Sequence, residues 1–395
     1  MRVGFVHWGV PRRSDASIRS WRALSWIARR HATRLVVLSG SESEHGSSVS
    51  ERCSIPGVEV TEPIIVPTQG GWLSQRLRPF TPASVRRRIA PALCDRLTDC
   101  DWVWCGWWGL PLIEGLSRRL KRGGVTITWD WDALSLWHLT AARALALQDP
   151  VRAILRLEHA AAYLMFEMFR LRDIDVLSTP SLREARWLRR MTRKRCVRVR
   201  NCVDAGTLTR ARSVAVSDTG STAIFVGSLD YGPNRDAVLW FCRKVWPLVV
   251  REIPEARFKV VGRRTGRYLE EVRGLPGVEV IGEVADVQPW YAQARVVVVP
   301  VWYGGGIPNK VLEAAACARP VVTTPYVAGT LGASPLGMRI AGKTTRFAAD
   351  VIATLQDPRM AEEQGRDALR WVSDHFSERQ WADDMTHFEE CLQTP

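Results

Sequence analysis

Residues 296–320 read VVVVPVWYGGGIPNKVLEAAACARP, and no other stretch restricts the fold so tightly. Four consecutive valines show no polar alternation, so their strand needs apolar cover on both faces, as in a parallel sheet coated by helices. Three glycines follow, where a missing Cβ lets a ligand approach the backbone. Pro308 then opens a helix, and a helix start offers unpaired N–H groups and a positive dipole end to an anion. Lys310 adds a full charge in that first turn, and Glu313 follows three residues later on the same helix face. A phosphate beside Lys310 and a sugar hydroxyl accepted by Glu313 is one reading of this spacing. A glycine turn that serves only the chain reversal is the other.

The strand–helix alternation recurs along the whole chain. Arg2–Trp8, Arg34–Leu38, Trp102–Trp108, Val125–Trp129, Val176–Ser178 and Arg195–Asn201 have strand character. Helical periodicity falls between them, at Ile18–Arg30 (with Ser17 or Asp15 as cap), Ser84–Leu97, Val151–Arg172 and Ser181–Arg190. Ser181 with Glu184 three residues on is a capping-box pattern. Residues 204–221 are small, polar and aperiodic, a linker signature. Beyond them a cleaner alternation runs to Thr345–Leu355, including one helix over Asn234–Val250, and a last helical stretch over 361–392 breaks near Phe376–Ser377. A chain of 395 residues exceeds what one core usually serves, so two α/β domains are expected.

Charge is distributed unevenly. Residues 1–200 hold 33 Lys and Arg against 18 Asp and Glu, a net +15, whereas residues 201–395 carry −1. The basic half suits an anionic acceptor, a membrane surface or simply a solvated basic face; no helix-turn-helix, zinc-finger or RNP signature points to nucleic acid. Nine cysteines without C-x-x-C spacing read as reduced buried thiols, and no apolar run approaches the ~20 residues of a spanning helix. The N-terminal residues lack the pattern of a secretory signal, so a cytoplasmic location is expected.

The string GGGIPNKVLEAAACARPVV resembles the donor-site segment of glycosyltransferase family 4, enzymes of the GT-B fold. The resemblance extends through FVGSLDYGPNRDAVLWFCRKVWPLV (225–249), PEARFKVVG (254–262) and LPGVEVIGEVADVQPWYAQARVVVVPV (275–301). It continues more loosely in WDWDALSLW (129–137), in 157–188 and in VRNCVD (199–204), which are similar to a bacterial branch found in surface-polysaccharide pathways. The resemblance implies an α/β protein of two Rossmann-like domains facing across a cleft. Residues 1–203 would bind the acceptor, 204–376 the nucleotide sugar, and 377–395 would form a helix crossing back. It further implies retaining, metal-independent hexosyl transfer with no cofactor beyond the donor. Gly304, Gly305, Gly306 and Ile307 would hold the diphosphate through their amides, Lys310 would neutralise it, and Glu313 would accept the ribose hydroxyls. Val284 to Val287 would border the base, with Gly227, Ser228 and Asn234 against the phosphates from the other side. Two departures stand out: the first of the family's paired glutamates falls on Gly305, and the Arg and Lys expected in 227–234 are missing. Arg235, Arg263 or an arginine of the N-terminal domain would compensate.

Other residues have competing readings. Asp130 and Asp132 have the D-x-D spacing of a metal site in another transferase fold. Asp132 also suits a place in the cleft near the acceptor hydroxyl, or a helix cap before Ala133. His7, at the end of the first strand, is a structural or a sugar-facing histidine. Of 18 tryptophans most are expected in the core, with Trp8 and Trp72 the best placed for acceptor contact. Ser84–Leu97, with Arg86 to Arg88, is either a core helix or one lying on an anionic leaflet. The expected activity is transfer of a sugar from a nucleoside diphosphate to a hydroxyl of a glycan, lipid-linked glycan or polysaccharide. A small natural-product acceptor, a catalytically inert nucleotide-sugar binder and an epimerase are the alternatives.

Overall fold

In the computed structural model of the chain, residues 1–8, 10, 11, 18–39, 53, 55–66, 83–106, 117–204, 216, 219–263, 270–332 and 335–393 are described. The proposed cap at Asp15 or Ser17, Trp72, Trp107, Trp108, most of the linker and the side chains of 83–88 lie outside them.

The strands form two sheets. The first contains β1 (Arg2–Trp8), β2 (Ala32–Ser39), β3 (Val58–Val60), β4 (Ile64–Ile65), β5 (Trp102–Cys105), β6 (Thr126–Asp130), β7 (Val176–Thr179) and β8 (Arg195–Arg198). Its order is β3-β2-β1-β5-β6-β7-β8, with β4 also on β2, and every pairing is parallel. The second contains β9 (Thr222–Val226), β10 (Arg257–Val261), β11 (Val278–Gly282), β12 (Val296–Val299), β13 (Val321–Thr323) and β14 (Met338–Ile340), in the order β11-β10-β9-β12-β13-β14, again all parallel. The valine run is the interior strand β12, its four side chains fully buried as the apolar pattern requires. In each sheet the chain builds outward from the first strand, then restarts on that strand's other side. Such a reversal opens a crevice at the carboxyl ends of the strands, here between β1 and β5 and between β9 and β12.

Six helices bear on the cleft and its surroundings: α1 (Ile18–Ala28), α2 (Leu134–Leu145), α3 (Pro150–Arg170), α4 (Leu182–Thr192), α5 (Asn309–Ala316) and α6 (Glu378–Gln393). Sequence periodicity misses the helix Pro325–Leu331 and β14. The single helix expected over 234–250 is in fact Gly232–Trp240 and Trp246–Glu252 joined by a π turn at Phe241–Val245. Pro247 supplies the reason: it has no N–H for the regular ladder, and a wider turn before it absorbs the fault.

The helix Ala83–Leu97 packs inward. Ile89, Leu93 and Leu97 are buried in the core of the first sheet, so the face proposed for a leaflet is occupied by protein. Trp102, Trp104, Trp129 and Trp131 are also core, and Trp102 Nε1 donates to Thr128 Oγ1 at 2.8 Å.

The chain leaves the second sheet at Phe376 and Ser377, where Val203 N–H donates to the Phe376 carbonyl at 2.9 Å. Helix α6 then lies on the first sheet, burying Trp381, Met385 and Phe388. Arg200 fixes it through both oxygens of Asp384 (Nε to Oδ2 2.6 Å, Nη2 to Oδ1 2.8 Å) and the His375 carbonyl. Removing one member of a mostly buried pair strands the other charge. Arg200→Ala is therefore expected to cost about 2–3 kcal/mol, read as a lowered chemical-denaturation midpoint. An unchanged midpoint would show that the apolar contacts alone dock the helix.

Candidate functional site

The glycine loop leaves β12 at the crevice of the second sheet and faces the first. Pro308 is the N-cap of α5, and Gly306 has φ +66°, a left-handed conformation that disfavours any side chain. Two of the loop amides proposed for an anion, those of Gly305 and Gly306, are engaged. Gly305 N–H donates to the Tyr231 hydroxyl at 3.1 Å, and Gly306 N–H donates to Glu184 Oε1 at 2.9 Å. Tyr231 also accepts from Trp137 Nε1 at 2.9 Å, and burial raises its phenol to about 12, these two bonds opposing. The Gly304 carbonyl accepts from Tyr326 at 2.6 Å.

Glu184 arrives from the opposite sheet. Ser181 caps α4 by accepting from Glu184 N–H at 3.2 Å, so half of the expected capping box exists. The Glu184 carboxyl turns away from its own helix start, accepting from Thr179 Oγ1 at 2.9 Å and from Gly306 across the cleft. Burial, with Asp132 nearby, raises this acid to about 8 despite the two hydrogen bonds. A Cβ on Gly305 would lie 3.7 Å from Glu184 Oε1 and 3.8 Å from Asp132 Cβ, so both acids border the space a side chain there would enter.

Glu313 and Lys310 face different neighbours although they share α5. Glu313 lines the cleft and accepts from the Tyr291 hydroxyl at 3.0 Å; burial pushes its acid upward, while Tyr291 and Lys310 oppose. The Lys310 ammonium lies beneath the β9 turn and donates to Asn234 Oδ1 at 2.5 Å, over the Phe225 ring. Burial lowers it to about 8, with Glu313 opposing. Gly227 leaves room for this pair: a Cβ would stand 2.9 Å from Lys310 Nζ and 2.8 Å from Asn234 Nδ2, so both side chains would have to shift to admit one. Ser228 Oγ accepts from Arg263 Nε at 3.3 Å beside the same turn. Arg235 contacts the Asp236 carboxylate at 3.6 Å. Ile307 and Val287 line the cleft, whereas Val284 packs on the second core.

On the other wall, Arg19 donates to Asp130 and, at 3.1 Å, to Asp132 Oδ1. Burial alone would lower Arg19, but the two carboxylates hold it above its ordinary value. Asp130 also accepts from Ser178 at 2.7 Å. The helix-cap reading of Asp132 is not what forms, because α2 begins after Ala133 without a side-chain cap. His7 is buried beside Gly106, whose Cβ would meet its ring at 2.6 Å, and Trp8 packs on the core of the first sheet. Arg22, Arg200, Asn201 and Asp286 complete a cleft of about 310 Å³, at the lower end of small-molecule sites. Sequence spacing gives no sign of Tyr231, Trp137 or the turn of Glu184, since each acts across more than 70 residues.

Comparison with known proteins agrees with this architecture. Residues 220–357 match the family model of glycosyl transferases group 1. No curated protein matches the sequence. Among solved structures, a sucrose-phosphate synthase from Thermosynechococcus elongatus superposes with TM-score 0.70 at 16% identity, covering 99% of this chain and 98% of the other. HepE from Anabaena, in complex with UDP and glucose, superposes with TM-score 0.65 at 11% identity over 100% of both chains. A glycosyltransferase from Rickettsia africae gives 0.65 at 8% identity, covering 100% and 99%. The chain thus has the GT-B fold, and its second sheet with the glycine loop and α5 lies within the segment that matches the group 1 glycosyltransferase model.

Proposed function

We propose that the protein is a retaining glycosyltransferase that moves a sugar from a nucleoside diphosphate to a hydroxyl acceptor. The observation that carries this is the convergence of the glycine loop, Glu313 and Lys310 at the crevice of the second sheet, facing the basic first domain. In this reading residues 1–203 take the acceptor, 204–376 the donor, and 377–395 form the returning helix. The base lies by Val287 and Asp286, and the ribose hydroxyls donate to the free oxygen of Glu313. The diphosphate spans Ile307 and the helix start toward Lys310, Asn234 and Ser228. In the reaction, the bond from the anomeric carbon to the diphosphate oxygen breaks. The acceptor oxygen bonds to that carbon on the same face, and its proton passes to the leaving diphosphate. The fixed ammonium and amides stabilise the charge that develops on that leaving group.

Metal plays no part in this reading, because Arg19 already bridges the two carboxylates of the D-x-D pair; EDTA is expected to leave turnover unchanged. Among the described residues no helix is long and apolar enough to cross a membrane. The acceptor is a glycan, lipid-linked glycan or polysaccharide, with a small natural product as the alternative.

The test begins with thermal shift across nucleotides and nucleotide sugars, since a ligand that selects the folded state raises its midpoint. UDP-sugars come first, because HepE binds UDP. Donor hydrolysis is then measured with and without acceptors. Glu313→Ala is expected to abolish both the shift and the turnover. The second reading, a binding protein without catalysis, is favoured by Gly305 and by the engaged amides; a thermal shift without turnover across all acceptors would establish it.

A further inference from the structure

Helix α3 is apolar on two sides. Its inner side buries Ala153, Ala160, Tyr163 and Phe166 against the first domain. Its outer side is equally apolar yet bare: Val151 is 69% exposed, Ile154 59%, Met165 57% and Phe169 52%. Leu147, at the turn from α2, is 99% exposed. An exposed apolar stripe along one helix marks a contact surface, so this outer face calls for cover. The spacing says what kind. Val151, Ile154, Glu158, Ala161, Met165 and Met168 recur at alternating intervals of three and four, the seam of a paired helix.

We propose that this face is where a second copy of the chain docks, with the two α3 helices packed antiparallel about a twofold axis near residues 159 and 160. In that register Val151 of one copy meets Met168 of the other, Ile154 meets Met165, and Glu158 meets the small Ala161. The arrangement is self-complementary, as a twofold contact must be. It sets Asp149, at the start of one helix, beside Arg172, just beyond the end of the other. It also places the helix dipoles head to tail. A lipid surface fits less well. An interfacial helix directs basic residues outward around its apolar face. Here Arg152 instead reaches inward to Asp236 at 2.9 Å, and Arg156 lies over Trp137. The exposed charge in the middle of the seam is the acidic Glu158.

Sedimentation equilibrium of the full-length protein tests this. A dimer is expected, and Ile154→Glu with Met165→Glu should weaken self-association by at least a hundredfold while leaving the circular dichroism spectrum unchanged. The register has its own test. Residues 154 and 165 stand about 16 Å apart along one helix, too far to form a disulfide within a chain. A variant carrying Ile154→Cys and Met165→Cys should therefore give a covalent dimer on mild oxidation, beyond any formed by the native cysteines. A wild-type monomer at ~100 µM, where even weak association is populated, would overturn the proposal. So would a double-glutamate variant that stays dimeric, or a monomer that sediments with anionic phosphatidylglycerol vesicles through this face.

Discussion

Lys310→Met is expected to lower donor kcat/KM by about a hundredfold, the scale of one charge-assisted contact to a diphosphate in a dry site. The side chain is held by Asn234 and roofed by the Gly227 backbone, so its ammonium is fixed before any ligand arrives. Burial has brought it down to about 8. It is therefore charged at neutral pH but loses its proton just above. An approaching diphosphate favours the charged form, so donor binding takes up a fraction of a proton near pH 8. Donor affinity should then fall as pH rises through 8, by up to tenfold per unit. The sign for folding is opposite. The folded value lies below 10.5, so the unfolded chain holds more protons between pH 8 and 10.5, and this group's contribution to stability rises with pH across that window. Calorimetry in two buffers of different ionisation enthalpy measures the proton uptake. Uptake that persists in Lys310→Met would assign it to another group.

What the sequence discloses depends on how local the cause is. The valine run announces a doubly covered parallel strand because burial on both faces is written into four adjacent residues, and β12 is that strand. The breaks at Pro308 and at Phe376–Ser377 are similarly local. The partners of Asp130 and Asp132 are not. Arg19 meets them from more than 100 residues away, and D-x-D spacing alone reads equally well as a metal site. Glu184 is harder still, because the capping-box pattern already explains its presence on its own helix. Only the fold brings Gly306 to it and Tyr231 to Gly305, turning amides that look open in sequence into occupied ones. The bare face of α3 was legible in principle, since its seam is periodic. Both of its faces are apolar, however, and periodicity alone does not say which one turns inward.

Glu184→Ala is expected to reduce donor kcat/KM between tenfold and a hundredfold, whereas Glu184→Gln should stay within a few-fold of the native enzyme. The carboxyl is anchored on two sides, by the Ser181 cap at its backbone and the Thr179 hydroxyl at Oε2, so it acts as a fixed arm. That arm holds Gly306 in its left-handed conformation across the cleft. Without it the loop has an unpaired amide, worth about 1–3 kcal/mol, and no constraint on its turn. Glutamine preserves the geometry, its carbonyl accepting from Gly306 and its amide donating to Thr179. The raised acid makes a further distinction. Below about pH 8 Glu184 is protonated and uncharged; above it, a negative charge forms beside Asp132 and opposes the incoming diphosphate. Loss of donor affinity above pH 8 therefore has two sources, a charge lost at Lys310 and one gained at Glu184. Glu184→Gln should leave the lysine limb, Lys310→Met the glutamate limb, and the double variant neither. Stability gives an independent reading. The folded value lies above 4.5, so the folded chain holds more protons between pH 4.5 and 8, and stability from this group falls with rising pH there. Glu184→Gln should flatten the thermal midpoint over that window. If it proves as damaging as Glu184→Ala while the pH profile is unmoved, the charge itself, and not the arm, is what the site requires.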